Sequence, residues 1–241
     1  MEPVWGLGRV ILYPLRPVFR IRMTGREQVP REGAVILAGN HVSVLDPLFM
    51  LWLGERTHRK PRFLAMAELW DHRAMRFFMV NTHMIPVPRD NSAAAGSLAA
   101  AARALQSGEC VAIYPEGKVS EDFEPMPGKT GVARLAALTG VPVTPVGVWG
   151  GHRLWPKGRK RRLRPGVGIS IAVGEPVHVG PDEDAFDATD RIMEGVAGTV
   201  ATARRIYPQQ PTRGDDGWWV RAPESAVMRP ARRARTRDRW S

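Results

Sequence analysis

A histidine followed five positions later by an aspartate, His41 and Asp46, is the first pair in this chain whose types and spacing suggest chemistry. They lie in the stretch Gly39-Asn40-His41-Val42-Ser43-Val44-Leu45-Asp46-Pro47. A turn or short helix there brings Asp46 back towards His41. Its carboxylate can then hold one imidazole nitrogen as a donor and leave the other free to accept a proton. Asn, His, Ser and Asp are also ordinary turn residues, so the spacing by itself describes a solvent-facing cap as well. A second polar turn is Pro115-Glu116-Gly117-Lys118.

Other chemistries find little support. Gly128-Lys129-Thr130 lacks the earlier glycine of a phosphate-cradling loop, since position 123 is Phe. Gly6-Leu7-Gly8 has neither a preceding strand nor the rest of a dinucleotide motif. Ser43 is not in a Gly-x-Ser-x-Gly elbow. No His-Glu-x-x-His occurs, and His72, His83 and His152 are not spaced as a ligand set, so no metal site is expected. Cys110 is the single cysteine, which forbids an intrachain disulfide and reads as a buried packing residue.

The elements around these residues alternate. Strands are expected at Phe19–Met23 (an edge), Ala34–Ala38, Arg62–Met66, Met84–Arg89, Cys110–Tyr114, Val143–Trp149 and Val167–Val173. Pro145 argues against an unbroken ladder in the sixth. Helices are expected over 48–53, 68–81, Ser92 to Gln106, 129–139 with Gly140 as its stop, and 183–203, the last weakened by Gly195 and Gly198. Ala34–Ala38 delivers His41, and Cys110–Tyr114 delivers Glu116. This pattern predicts an α/β fold, a central mostly β-sheet core flanked by helices, with ligands meeting the strand ends.

Charge divides the 241 residues unevenly. The formal net charge is +11. Arg153 to Arg164 carries seven basic residues and no acid, and Arg221 to Ser241 carries seven arginines and two acids. Such runs attract nucleic acid, anionic lipid or phosphorylated substrates, or form a solvated surface. Residues 4–19 combine an apolar face (Trp5, Leu7, Ile11, Leu12, Leu15, Phe19) with basic edges, and Pro14 and Pro17 interrupt any straight helix. That suits an amphipathic membrane-contacting segment, or a helix packed on its own domain. No signal peptide and no spanning helix are expected. The expected organisation is a membrane-associated segment over 1–20, a catalytic domain over 21–207, and a basic, mobile tail over 208–241 despite Trp218, Trp219 and Trp240.

Four blocks in order resemble the glycerolipid acyltransferase family, which includes the 1-acylglycerol-3-phosphate (lysophosphatidate) acyltransferases. Asn40-His41-Val42-Ser43-Val44-Leu45-Asp46 resembles its His-x4-Asp signature. Ile85-Pro86-Val87-Pro88-Arg89, Tyr114-Pro115-Glu116-Gly117 and Val141-Pro142-Val143-Thr144-Pro145-Val146 resemble the second, third and fourth blocks. The resemblance spans roughly residues 34–150. It implies transfer of a fatty acyl group from an acyl thioester to the 2-hydroxyl of 1-acylglycerol 3-phosphate, giving phosphatidate. His41 is then the general base and Asp46 its support. Arg89, Glu116, Gly117 and Lys118 bind the acceptor, and Lys129 is a phosphate- or donor-binding candidate. The resemblance implies no tightly bound cofactor. Acyl-CoA or acyl carrier protein is the thioester substrate, a lysophospholipid the acceptor, and an anionic membrane surface the partner, with no specific nucleic acid. The implied location is peripheral, on the cytoplasmic face of the membrane.

The third block departs from the family's pattern, which usually continues Gly-Thr-Arg-Ser. Here it reads Gly117-Lys118-Val119-Ser120, with uncharged Val119 at the arginine position. The departure keeps open acylation of another lysophospholipid or of a glycolipid alcohol. A basic membrane- or nucleic-acid-binding protein without catalysis is the alternative of a different class.

Overall fold

A computed structural model describes residues 19–87, 94–158, 160–212 and 217–220. Positions 1–18, Arg89 and residues 221–241, which carry the expected amphipathic segment, one acceptor contact and most of the basic tail, lie outside the described residues.

Seven strands form one mixed sheet in the order β1-β7-β6-β2-β5-β3-β4. They are β1 (Arg20–Thr24), β2 (Val35–Gly39), β3 (Pro61–Met66), β4 (Ile85–Val87), β5 (Cys110–Ile113), β6 (Val143–Trp149) and β7 (Gly168–Val173). Five neighbouring pairs are parallel, and β6 with β7 is antiparallel. The helices are α1 (Asp46–Thr57), α2 (Arg73–Asn81), α3 (Ala94–Gln106), α4 (Gly131–Thr139) and α5 (Ala185–Arg205). The α/β class read from the alternation is the class observed.

Strands β2 and β5 are apolar and buried throughout, as strands covered on both faces are. On β2, Ile36 and Ala38 join a core with Leu105, Val132, Leu135 and Ile192 from α3, α4 and α5. Val35 and Leu37 point the other way, onto Phe49, Met50 and Leu53 of α1. The same alternation puts Val111 of β5 in the first core and Ala112 in the second. β1 alternates exposed and half-buried residues, as an edge strand should. The connection from β2 enters α1 on one face, and that from β5 leads to α4 on the other. The two turns therefore diverge at the carboxyl ends of adjacent strands, where such folds place ligands.

The reservation over Pro145 holds on one side of β6: the strand runs through it and its ladder with β2 is unbroken, while its pairing on the β7 side is interrupted there. Val143 pairs with Val177 and Val146 with Val173, so the partner uses one residue more and forms a bulge beside Pro145. The Pro145 carbonyl accepts from Gly174 N there at 2.9 Å, so its missing N–H falls on the bulged side rather than in the β2 ladder.

The last helix is unbroken at its glycines. A Cβ at Gly147 of β6 would lie 2.3 Å from the Thr199 carbonyl carbon, and one at Gly195 would lie 3.0 Å from Pro145 Cγ. Close packing on β6 thus outweighs the helix-weakening propensity of Gly195.

The expected helix at 68–81 is instead a 3-10 segment, Ala67–Asp71, and then α2, separated by extended backbone at His72.

Part of the segment read as a mobile tail is docked. Trp219 is 2% exposed, and Gln209 Oε1 accepts from Gly168 N and from Arg153. The aromatic and amide side chains of this stretch, hidden behind its arginine content, anchor it.

Candidate active site

The site is built where β2 and β5 end. Asp46 is the first residue of α1, and its fully buried carboxylate reaches back across the turn. Asp46 Oδ2 accepts from Val42 N at 2.6 Å and from Ser43 N at 2.7 Å. The same oxygen is 3.0 Å from His41 Nδ1. A carboxylate can only accept, so Nδ1 carries the proton and Nε2 is left as the acceptor. Two backbone donors fix the carboxylate before the imidazole meets it, so the turn itself sets where Nδ1 is held. The His41 side chain keeps 17% of its surface exposed.

Several side chains outside the pair make this geometry hold. Asn40, fully buried, donates to Val148 O at 3.0 Å and accepts from Val148 N at 2.7 Å, so its amide extends the β2–β6 pairing beyond the strand end. Ser43 Oγ accepts from Leu45 N and lies 3.0 Å from Gly151 O and 2.9 Å from Trp155 O. It is therefore committed to holding the turn. A Cβ at Gly151 would lie 3.0 Å from Asp46 Oδ1 and 2.9 Å from the Phe49 ring, so glycine lets the loop after β6 close over the carboxylate. Asn40 and Ser43 sit inside the His-x4-Asp stretch, but their partners are more than a hundred residues away, and no local pattern announces them.

Glu116 faces inward. Its Oε1 accepts from His41 N at 2.9 Å and its Oε2 from Met126 N at 3.2 Å. Burial pushes its carboxyl up to about 8; the two backbone bonds oppose this, and the charges of Asp46 and Asp122 add to it. With both oxygens engaged on backbone, Glu116 ties the second turn to the first. Ser120 N donating to His41 O at 2.7 Å makes the tie reciprocal.

Gly117 has φ 68°, and a Cβ there would lie 2.8 Å from Lys129 Cε and 3.0 Å from Lys129 Nζ. The lysine thus crosses over the glycine backbone, and the left-handed φ is what favours glycine there. Lys118 is exposed beside it, and Val119 is half-buried. The described candidates gather at one end of the sheet: His41 and Asp46 in contact, Glu116 behind them, and Gly117, Lys118 and Lys129 alongside. Among the described residues, no group of three or more His, Cys, Asp or Glu could hold a metal ion.

A doubly covered mixed sheet carrying a solvent-reached histidine on a buried carboxylate, beside a turn that bears lysines, is a site equipped for general acid–base chemistry on an anionic substrate. The family described as Acyltransferase matches residues 20–149, from β1 to the end of β6. The chain belongs to that family, and it is an O-acyltransferase. It is similar to the 1-acyl-sn-glycerol-3-phosphate acyltransferase of Borreliella burgdorferi, 27% identical over 187 residues that cover 75% of this chain and 68% of that one. The Bacillus subtilis enzyme of the same name is 26% identical, over 66% of this chain and 74% of that one. The crystal structure of the 1-acyl-sn-glycerophosphate (LPA) acyltransferase PlsC from Thermotoga maritima superposes with a TM-score of 0.65 at 25% identity, covering 80% of this chain and 76% of that one.

Proposed function

We propose that the chain transfers a fatty acyl group from an acyl thioester to the 2-hydroxyl of 1-acylglycerol 3-phosphate, producing phosphatidate. The observation that carries this reading is the His41–Asp46 pair at 3.0 Å, with Nε2 free to accept, beside the Gly117–Lys129 crossing. Similarity to enzymes named for this acceptor supports the choice of substrate.

In the proposed reaction the acceptor hydroxyl gives its proton to His41 Nε2 as its oxygen attacks the thioester carbonyl carbon. Asp46 stabilises the imidazolium that forms. The tetrahedral oxyanion collapses, the C–S bond breaks, and the thiolate takes the proton back from Nε2. Acylated lipid and free thiol leave, and no acyl-enzyme forms. Ser43 is no nucleophile in this scheme, since its hydroxyl serves the loop. Lys129 and Lys118 supply positive charge for the acceptor phosphate or the donor's nucleotide portion. Arg89 is assigned to the acceptor phosphate on its place in the second block. The donor is acyl-CoA or acyl carrier protein, and no tightly bound cofactor takes part.

A peripheral position on an anionic membrane follows from a lipid acceptor and from the charge of the chain. Among the described residues no helix is long and apolar enough to cross a membrane. Uncharged Val119 in the third block favours comparing acceptors directly. Purified protein is given an acyl thioester with lysophosphatidate, other lysophospholipids and a glycolipid alcohol, and free thiol and acylated lipid are both measured. Lysophosphatidate is expected to be used best. Thiol release with another acceptor preferred would replace the substrate and keep the chemistry; no acylated lipid from any acceptor would overturn the reading.

A further inference from the structure

The ring of Tyr114, the residue after β5, lies on the imidazole of His41. Their centroids are 4.4 Å apart and their planes 19° apart. The next layer is Phe63 of β3, 6.1 Å from Tyr114 and 14° from parallel. Strand β2 is cleared to admit this stack: a Cβ at Gly39 would lie 3.2 Å from Tyr114 Cε1 and 2.7 Å from Met50 Cε. The Tyr114 hydroxyl is buried and has no hydrogen-bond partner among the described residues. Burial, reinforced by the Asp46 charge, holds the phenol well above its ordinary value, so the ring stays neutral. An unpaired buried hydroxyl is a cost rather than a contact. The useful part of Tyr114 is therefore its face.

That face meets the one catalytic group that gains positive charge. A single bond from Nδ1 to Asp46 sets where the imidazole sits, but leaves its plane free to swing about that bond. An aromatic face 4.4 Å away removes the swing, and its quadrupole attracts a cation. We infer that Tyr114 is a positioning residue for the acyl transfer: its ring fixes the plane of His41 and stabilises the imidazolium formed when the acceptor hydroxyl gives up its proton. This rests on the reading of His41 as general base.

The test varies the face while keeping the shape. Tyr114→Phe, Tyr114→Leu and 3,4,5-trifluorophenylalanine at position 114 are compared with wild type and His41→Ala, with kcat, KM for both substrates and pH profiles measured. NMR follows the ring-current shift of the His41 imidazole protons. Tyr114→Phe should keep kcat, profile and ring-current shift. Tyr114→Leu should lose the shift, lower kcat about tenfold with both KM values near wild type, and move the acid limb of the profile to lower pH. The trifluoro ring, which keeps the size but empties the face of electron density, should lower kcat and move the acid limb in the same direction even where the leucine variant folds poorly. A trifluoro variant with wild-type kcat and acid limb, in a protein that His41→Ala inactivates, overturns the role of Tyr114 alone. A Tyr114→Phe variant as impaired as the trifluoro one also overturns it, since the hydroxyl would then matter. Full turnover by folded His41→Ala overturns the general-base reading and the Tyr114 role with it, whatever the ring-current shift shows.

Discussion

His41 and His152 are both packed against aromatic rings, yet their surroundings suit opposite ends. His41 has a carboxylate on Nδ1, one aromatic face, and an opening to solvent. His152 is fully buried between Phe123 and Trp149, with centroids at 4.5 and 4.3 Å. Its Nε2 donates to the Trp219 carbonyl at 3.1 Å, and its Nδ1 has no partner among the described residues. Burial lowers its pKa to about 3; the Trp219 bond opposes this, and Arg204 and Arg153 reinforce it. An imidazole kept neutral in this way can hold a chain segment in place but cannot exchange protons with a substrate. A carboxylate partner and access suit His41 to its proposed role as base and set it apart from the clamp at His152, while aromatic company does not. The two regions still touch, because Gly151, the neighbour of His152, packs against Asp46.

The largest effect should follow from removing the proposed base. His41→Ala is expected to lower kcat on the order of 10³-fold, about 4 kcal/mol of transition-state stabilisation, with folding intact by circular dichroism. His152→Gln should leave kcat within a few-fold of wild type at neutral pH. If the two variants lost activity equally, the contrast between base and clamp would collapse.

Next in size is the clamp itself. Trp219 is 2% exposed, and the Arg153 guanidinium sits 3.9 Å from its ring centroid. Trp219→Ala should cost about 3 kcal/mol in denaturant unfolding, since a large side chain leaves a cavity and the His152 contact loosens. A cost under about 0.5 kcal/mol, the range of an ordinary surface substitution, would mean that the segment is not held.

Acid sharpens the contrast further. The folded-state pKa of His152, about 3, lies below its ordinary 6.5. Its contribution is fully present above 6.5 and is lost as pH falls towards 3, because the unfolded chain takes up the proton first. Between pH 6.5 and 4.5 this amounts to roughly 2–3 kcal/mol. His152→Gln should flatten that part of the stability curve, as measured by unfolding at a series of pH values. An unchanged slope would place the acid sensitivity elsewhere.

How much of this was legible in the sequence differs between the two histidines. The turn around His41 could be read because its determinants are local: a strand end, a helix start and an acid at helical reach. The α/β class followed from alternation for the same reason. The surroundings of His152 could not, since Phe123, Trp149 and Trp219 come from three separate parts of the chain, and an arginine-rich, proline-bearing stretch conceals a docked tryptophan. Glu116 was visible as a motif residue, but its inward direction depends on His41 N and Met126 N, which only the folded sheet brings together. Pro145 could be read as an interruption of a ladder because it lacks a donor, but the side of β6 on which the interruption falls depends on Val173, Gly174 and Val177, which only the folded sheet brings alongside.

The smallest predicted effect tests how firmly the His41 side is tied. Glu116→Gln keeps one carbonyl acceptor for His41 N or Met126 N and turns an NH2 towards the other. One buried backbone donor then goes unmet, at a cost of roughly 1–2 kcal/mol. Titration makes that cost depend on pH. Glu116 is raised from 4.5 to about 8 on folding. The wild-type contribution is therefore fully present below about 4.5 and is lost as pH rises through 8, because the folded state holds the proton longer than the unfolded one. Glutamine does not titrate, so its disadvantage should be greatest near pH 5 and should shrink by pH 8.5. Paired denaturant curves at those two values decide the matter. A gap that widens with pH would show that the ionised carboxylate is the form preferred in the fold, and that the two backbone bonds outweigh burial.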